Sequence, residues 1–369
     1  MEQWRSKTEE IVDSHVHMAG LDTEQSLLSI RKAAGIDKMA LVAIQDPEAG
    51  SGLAAAVYMK SCHPGGFFVF AGLNHAGQLS GGEVPGQTLT EQVEANVKMG
   101  CDGIKMIEGK PTSRQRVDIP VTDDYFREYW AQVEELKLPV VWHVNDPEEF
   151  WDPNRIPKWA KERGWGYSPD DVQKEELYGE VEEILQRHPQ LRVTFAHFYF
   201  LSADLPRASC FLDKHPTVRF DLAPGIEMLY NISEDPETGR DFFINYADRI
   251  VFGTDIASDV TVEKGRIRAG MMFRWLESDD TFRSPEQADF LLGPPEDGII
   301  RGLHLPPEVL DKIYRENFVE RAGERPCPLD IGAAVEQLER AARIAEDLSG
   351  HRKEETEAAR VAKRLSEQR

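Results

Sequence analysis

Eight short runs rich in Val, Ile and Phe recur along the chain, each followed by a longer segment of helical character. They are EEIVDSHVH (9–17), KMALVAIQ (38–45), FFVFAGL (67–73), DGIKMI (102–107), LPVVWHV (138–144), LRVTFAHF (191–198), TVRFDLA (217–223) and RIVFGTDIA (249–257). Strands alternating with helices build a parallel sheet, because each helix carries the chain back to start the next strand in the same direction. Eight such units close into a barrel, whereas an open doubly wound sheet more often has about five to seven strands and a glycine-rich first turn. The expected fold is α/β, a (β/α)8 TIM barrel over 1–326, with long insertions after strand five (145–190) and strand eight (258–305). A helical extension is expected over 327–369, with Val335, Leu338, Ala342, Ala345 and Leu348 on one apolar stripe. Docking on the barrel or on a sister copy in a homo-oligomer would bury that stripe.

Composition narrows the function classes. The formal charge is 43 − 65 = −22, and no Lys/Arg-rich block precedes the last helix, so the electrostatic footprint of a nucleic-acid or anionic-lipid binder is missing. The opening MEQWRSKTEE has no apolar h-region and there is no apolar run of about 18 residues, which favours a cytoplasmic protein over a secreted or membrane one. Cys62, Cys101, Cys210 and Cys327 are widely spaced, without a C-x-x-C pair, so neither a disulfide framework nor a cysteine zinc site is expected.

The histidines divide by position. His63, His188 and His215 each precede a proline and then a strand, which reads as a helix C-terminus with the ring near the last carbonyls. His15, His17, His143 and His197 instead sit at the C-terminal ends of strands one, five and six, the rim where barrel active sites are built. Residues i and i+2 of a strand share a face, so alternation groups Asp13 with His15 and His17, Val141 with His143, Phe195 with His197, Gly103 with Lys105, and Gly253 with Asp255. Unpaired, so many polar groups on one narrow rim would be costly to bury; a divalent metal resolves the cost, since imidazoles donate lone pairs and a carboxylate supplies charge. His15, His17, His143 and Asp255 make such a site and leave His197 free as acid or base. His-x-His alone is a weak signal; agreement across five strands carries the reading. Nitrogen and oxygen ligands suit Zn²⁺, and also Mn²⁺, Fe²⁺ or Co²⁺. Lys105 could form a salt bridge, hold a substrate carboxylate or, carbamylated, bridge a second metal. His75, after strand three, could line the pocket; His304 and His351 receive no role.

The motifs DSHVH, HVNDPEEFWD, TFAHF and VFGTDIA, with the closing GLHLPPEVLDKIYRENFVERAG, resemble the amidohydrolase superfamily over about residues 9–323. The resemblance is to the branch that includes uncharacterised amidohydrolases, decarboxylases of aromatic and muconate-type acids, and lactonases. It implies that His15, His17, His143 and Asp255 bind the metal, usually zinc, and that His197 polarises substrate or shuttles protons. In two-metal members His197 is itself a ligand and the strand-four lysine, here Lys105, is a carbamate bridge; the branch resembled more often uses one metal.

The leading function is therefore a metal-dependent hydrolase acting on an amide, ester or lactone carbonyl of a small molecule, with Asp255 as proton acceptor and His197 beside the oxyanion. A decarboxylase is the first alternative, with Lys105, Lys110, Arg114 and Arg116 as candidates to hold a carboxylate. A catalytically inactive binding barrel is the alternative from another class. The insertion after strand five carries Phe150, Trp151, Trp159, Trp165 and Tyr167; Trp151 is the one expected at the pocket, with His75 and Lys110 as further substrate contacts. The insertion after strand eight, including RIRAGMMFRWLESDD, is expected to complete the pocket wall.

Overall fold

The computed structural model describes residues 10–225, 227–350 and 352–368; Glu9, the first residue of the predicted first strand, and His351 lie outside them. Nine strands form one parallel sheet: β1 (Val12–His17), β2 (Lys38–Ala43), β3 (Phe67–Gly72), β4 (Gly103–Gly109), β5 (Pro139–Val144), β6 (Arg192–Phe195), β7 (Arg219–Asp221), β8 (Ile250–Val251) and β9 (Ile256–Ala257). Their order is β8-β7-β6-β5-β4-β3-β2-β1-β9. The predicted eighth run is thus two short strands, with β8 paired to β7 and β9 paired to β1. Between them Asp255 takes φ 53°, which breaks extended pairing. The segment still bonds to β1: Ser14 N–H donates to Phe252 O and Asp255 N–H to His15 O, each 2.9 Å. The sheet consequently curls until its first strand and its last segment meet.

The sheet has an inner and an outer apolar layer. Val12, Ala40, Val42, Phe68, Phe70, Val141, Val251 and Phe318 form the inner cluster. Alternating neighbours such as Met39, Leu41, Phe67, Val69, Val140 and Trp142 pack outward against the helices. Phe318, from the helix Asn317–Ala322, puts its ring 4.9 Å from that of Phe68, and Asn317 Nδ2 donates to Ala247 O and Ile250 O. This closing helix therefore both fills the inner layer and anchors β8. Gly103 is required by the same packing, because a Cβ there would lie 2.5 Å from the Phe70 ring and from Pro139 O.

Two expectations from strict alternation fail. The pairing of β1 with β2 shifts register between Asp13 and Val16, so Val12 faces the inner cluster and Val16 the outer one; an extra residue in one strand changes which face its later side chains take. Strand six stops at Phe195, which faces outward against Trp142, Tyr199 and Phe211. His197, Phe198, Tyr199 and Phe200 then run through φ 51–56°, a left-handed turn of four non-glycine residues. Burial of the three aromatic rings offsets a conformation that is unfavourable for every L-residue.

His63, His188 and His215 each cap a helix C-terminus, as expected, but their ring nitrogens lie 3.0–3.4 Å from Glu24, Glu134 and Glu182 rather than on the last carbonyls. The insertion after β5 is shorter than expected, since residues 174–187 are already helical. Its aromatic residues make a small core of their own, with Phe150, Ala160 and Tyr167 buried and Trp151, Trp159 and Trp165 around them. The insertion after β9 holds the helix Val262–Glu277 and a short antiparallel pair, Thr281–Phe282 with Ile300–Arg301.

The extension forms the helices Ile331–Ser349 and Glu357–Ser366. Leu338, Ala342 and Ala345 of the expected stripe are buried against the body of the same chain. Gly100, at φ 91°, ends the helix Leu89–Met99 under the start of this extension; a Cβ there would lie 2.1 Å from Pro328 O. Among the described residues no helix is long and apolar enough to cross a membrane.

Candidate active site

The C-terminal ends of β1 and β5 and the turns after β6 and β8 bring four histidines and Asp255 to one place. His17 Nε2 lies 3.1 Å and His15 Nε2 3.7 Å from Asp255 Oδ1, and one donor atom from each of the three falls within 4.8 Å of the others. The His197 ring centroid is 5.3 Å from that of His15 and 4.7 Å from that of His143. Lys105 Nζ is 3.2 Å from His15 Nε2. Asp13 is not offered to this group, contrary to the alternation reading. Its carboxylate accepts from Thr254 Oγ1 (2.5 Å), Thr254 N (3.0 Å) and His15 N (3.1 Å), tying β1 to the segment that carries Asp255.

Hydrogen-bond partners fix the tautomers. His15 Nδ1 is 2.8 Å from Asp221 Oδ2, so the proton is on Nδ1 and Nε2 presents a lone pair towards Asp255 and Lys105. His197 Nδ1 lies 3.1 Å from Ala223 O, and His143 Nε2 2.9 Å from Asn145 O, so these nitrogens are the donors. The remaining nitrogens, His197 Nε2 and His143 Nδ1, face each other at 3.2 Å, each an acceptor with no hydrogen between them. Two imidazole lone pairs at that separation repel unless a proton or a metal cation lies beside them.

Burial keeps these rings neutral. It lowers His15 well below the usual histidine value, with Lys105 adding to the effect, brings His143 to about 4 with help from Lys110, and brings His197 to about 3 with help from His143. Burial alone would raise Asp255, but the His17 hydrogen bond and the surrounding imidazoles hold it well below the carboxylate range. Lys105 is lowered to about 8 by burial, against the pull of Asp221 and Asp255.

A pH dependence follows from His197. The unfolded chain gains a proton there below about pH 6.5, whereas the folded chain does so only near pH 3, so stability falls on acidification across that window. In metal-stripped protein, His197→Asn should reduce the slope of unfolding free energy against pH by up to about 1.4 kcal/mol per unit between pH 6 and 4. Denaturant unfolding at several pH values measures it; parallel slopes in the two proteins would contradict the assignment.

The other expected contacts are dispersed. Lys110 forms a buried ion pair with Asp146 (2.5 Å), which is 3.4 Å from His143 Nε2. Trp151 packs on Tyr167 at 4.6 Å and donates to Val172 O, within the aromatic core of its own loop. Arg114 is paired with Glu180. His75 lines a cavity of about 220 Å³ over the ends of β2, β3 and β4, together with Lys105, Glu108, Arg116 and apolar Ile44, Leu73, Val117 and Phe126. Lys105 is the wall shared by this cavity and the histidine cluster.

Two supporting residues escaped the sequence reading. Asp221, at the end of β7 and fully buried, accepts from His15 Nδ1, His197 N (2.9 Å) and Ala223 N (3.0 Å). The rule that picked out Lys105 and Asp255, a lone polar residue topping a strand, would have found it in TVRFDLA. Arg268, in the stretch expected to form pocket wall, instead pairs with buried Asp289 and donates to the backbone carbonyl of Asp255.

A family model described as amidohydrolase matches residues 12–317. The chain belongs to the amidohydrolase family. None of the curated proteins matches it. Solved structures of similar fold include an uncharacterised TIM-barrel protein from Bordetella bronchiseptica, at 14% identity over 85% of this chain and 99% of that one, TM-score 0.50. A probable 2-pyrone-4,6-dicarboxylic acid hydrolase from Acinetobacter baumannii is similar at 14% identity, with the same coverage and a TM-score of 0.51. A 5-carboxyvanillate decarboxylase from Sphingomonas paucimobilis is similar at 11% identity, again over 85% and 99%, TM-score 0.50. At these identities the likeness is one of fold. Family members are generally metal-dependent enzymes, and His15, His17 and Asp255 form a cluster able to hold a metal ion.

Proposed function

We propose that this family member is a metal-dependent hydrolase of a small-molecule amide, ester or lactone, built on a (β/α)8 barrel whose eighth strand is split in two. The observation that supports it best is the cluster of His15, His17 and Asp255, one donor atom from each lying within 4.8 Å of the others. The separations of 3.1 and 3.7 Å among His17, His15 and Asp255 are short enough for these side chains to share one cation, which they would hold if it were bound. His143, with its lone pair turned towards His197, completes a nitrogen-rich donor set that fits Zn²⁺, or Mn²⁺, Fe²⁺ or Co²⁺. One ion per chain is the favoured reading. Such an ion supplies a Lewis acid that polarises the carbonyl and acidifies a water.

The chain's own groups then handle charge and protons. Asp255, ionised and beside the reacting centre, accepts the proton of the attacking water. Lys105 Nζ, beside the same His15 Nε2 that faces Asp255, can donate to the oxygen that gains charge. His197 Nε2 can take up a proton and share it with His143 Nδ1, which removes the repulsion between the two lone pairs.

A decarboxylase is the second reading, favoured by the cavity. Arg116 is exposed and makes no ion pair among the described residues, Lys105 lies on the same lining, and apolar walls separate them. That is a suitable shape for an apolar acid held by its carboxylate. Elemental analysis of protein purified without chelator, beside His15→Ala, tests the common basis of both readings. About one metal per chain, lost in the variant, is the expected result. About two would make His197 a ligand and Lys105 a carbamate bridge. No metal, with no stabilisation on adding Zn²⁺ or Mn²⁺, would leave the inactive binding barrel. Incubating the loaded protein with lactones, esters and aromatic acids, and following acid or CO₂ release, separates hydrolysis from decarboxylation.

A further inference from the structure

We propose that Gln78, Tyr125, His75 and Glu108 form a proton relay through the wall that separates an outer cleft from the cavity beside Lys105. Tyr125 OH is 2.9 Å from Gln78 Oε1 and 3.1 Å from His75 Nδ1, and His75 Nε2 is 2.8 Å from Glu108 Oε1. The far carboxylate oxygen, Glu108 Oε2, accepts from Ile107 N at 2.8 Å, which leaves Oε1 to the histidine.

The two ends of this chain open on different spaces. Gln78 and Tyr125 line a surface cleft of about 340 Å³. His75 and Glu108 line the inner cavity of about 220 Å³ that Lys105 also lines. Exposure falls along the way: Gln78 is exposed, Tyr125 half-buried, and His75 and Glu108 are each 7% exposed. The charged groups around it are Lys105 and Arg116 on the cavity side, and Asp124, Arg127 and Glu128 on the cleft side.

Counting hydrogens gives the chain of bonds two arrangements between which a proton can pass. The Tyr125 hydroxyl has one hydrogen and two acceptors within reach. If it donates to Gln78, the His75–Tyr125 contact is satisfied only when Nδ1 carries a proton, and the Glu108 contact is best satisfied when Nε2 carries one too. If it donates to Nδ1, the ring is neutral and the Gln78 amide turns its NH₂ to the tyrosine oxygen. The two arrangements differ by one proton on His75 and by a flip of an exposed amide. A proton arriving at the tyrosine oxygen from the cleft moves the hydroxyl hydrogen to Nδ1; the Nε2 proton then passes to Glu108 Oε1 and is available to an atom in the cavity. One proton crosses and no electron moves; the ring is left with its proton on Nδ1, and passage of a proton in the opposite direction restores the first tautomer. The functional value of this path rests on the cavity being the reaction chamber proposed above; its existence does not.

The test needs neither substrate nor metal. In full-length protein with ¹⁵N-labelled histidine, NMR reads the protonation of the His75 ring and the exchange of its N–H hydrogens with water. Tyr125→Phe should slow that exchange by about tenfold or more, and Gln78→Leu, on the surface, should slow it in the same direction with an unchanged backbone amide spectrum. Gln78→Leu carries the test if Tyr125→Phe does not fold. Exchange unchanged by both substitutions would overturn the relay, as would exchange slowed only by Glu108→Gln, since the proton would then enter from the cavity. Metal content is measured separately, so either result can fail alone.

Discussion

Replacing Asp221 by alanine is expected to destabilise the protein by about 3–5 kcal/mol, the range for removing one partner of a buried charged network, and to weaken metal binding by about 10–100-fold. The carboxylate serves two elements of the site at once. It holds the His15 ring by Nδ1, which sets the lone pair on Nε2, and it holds the backbone N–H of His197 at the entrance to the left-handed turn. Without it three buried donors lose their acceptor, and the turn loses the bond that fixes where it starts. Burial raises the Asp221 carboxyl to about 6 in spite of His197 nearby; with all three of its partners donating, the ionised form is the one the geometry suits. Asp221→Asn keeps the volume and one acceptor oxygen, so it should lose less stability than alanine. Denaturant unfolding and zinc titration read both effects. An alanine variant within about 0.5 kcal/mol of the parent would show that Asp221 is only a spectator.

Arg268→Leu should cost a similar amount, about 3–5 kcal/mol, for a different reason. Asp289, 5% exposed, would be left as an unpaired buried charge. The Asp255 carbonyl would also lose the donor that braces its left-handed backbone. A double variant separates the two effects. Arg268→Leu with Asp289→Leu removes both charges and should recover much of the stability, since buried ion pairs are often replaceable by apolar residues. It should not recover metal affinity, because the brace on Asp255 is still missing. Recovery of both properties in the double variant would refute the bracing role.

The groups that meet at the rim were legible in the sequence, and the groups that hold them were less so. Strand-end position alone separated His15, His17, His143 and His197 from His63, His188 and His215, because strand ends and helix ends leave different local signatures. Asp221 and Arg268 act on residues 206 and 13 positions away respectively, and no spacing rule links such partners. Alternation failed where the backbone departs from an ideal strand, at the register shift in β1 and at the left-handed turn after Phe195; neither carries a glycine or proline to announce it. The aromatic loop was legible as an insertion, but Trp151, expected at the pocket, packs on Tyr167 within the loop's own core, because large apolar side chains near a loop satisfy burial locally first.

The site is assembled across the seam where the curled sheet comes back on itself: His15 and His17 stand on the first strand, and Asp255 lies between the last two. Under the proposed function, the ion therefore clasps the beginning of the sheet to its end and closes a loop of some 240 residues. Such a site cannot assemble before the segment that carries Asp255 has been made. Ion loading follows the closing of the sheet, and the bound ion resists the reopening of the junction between its first strand and its last segment.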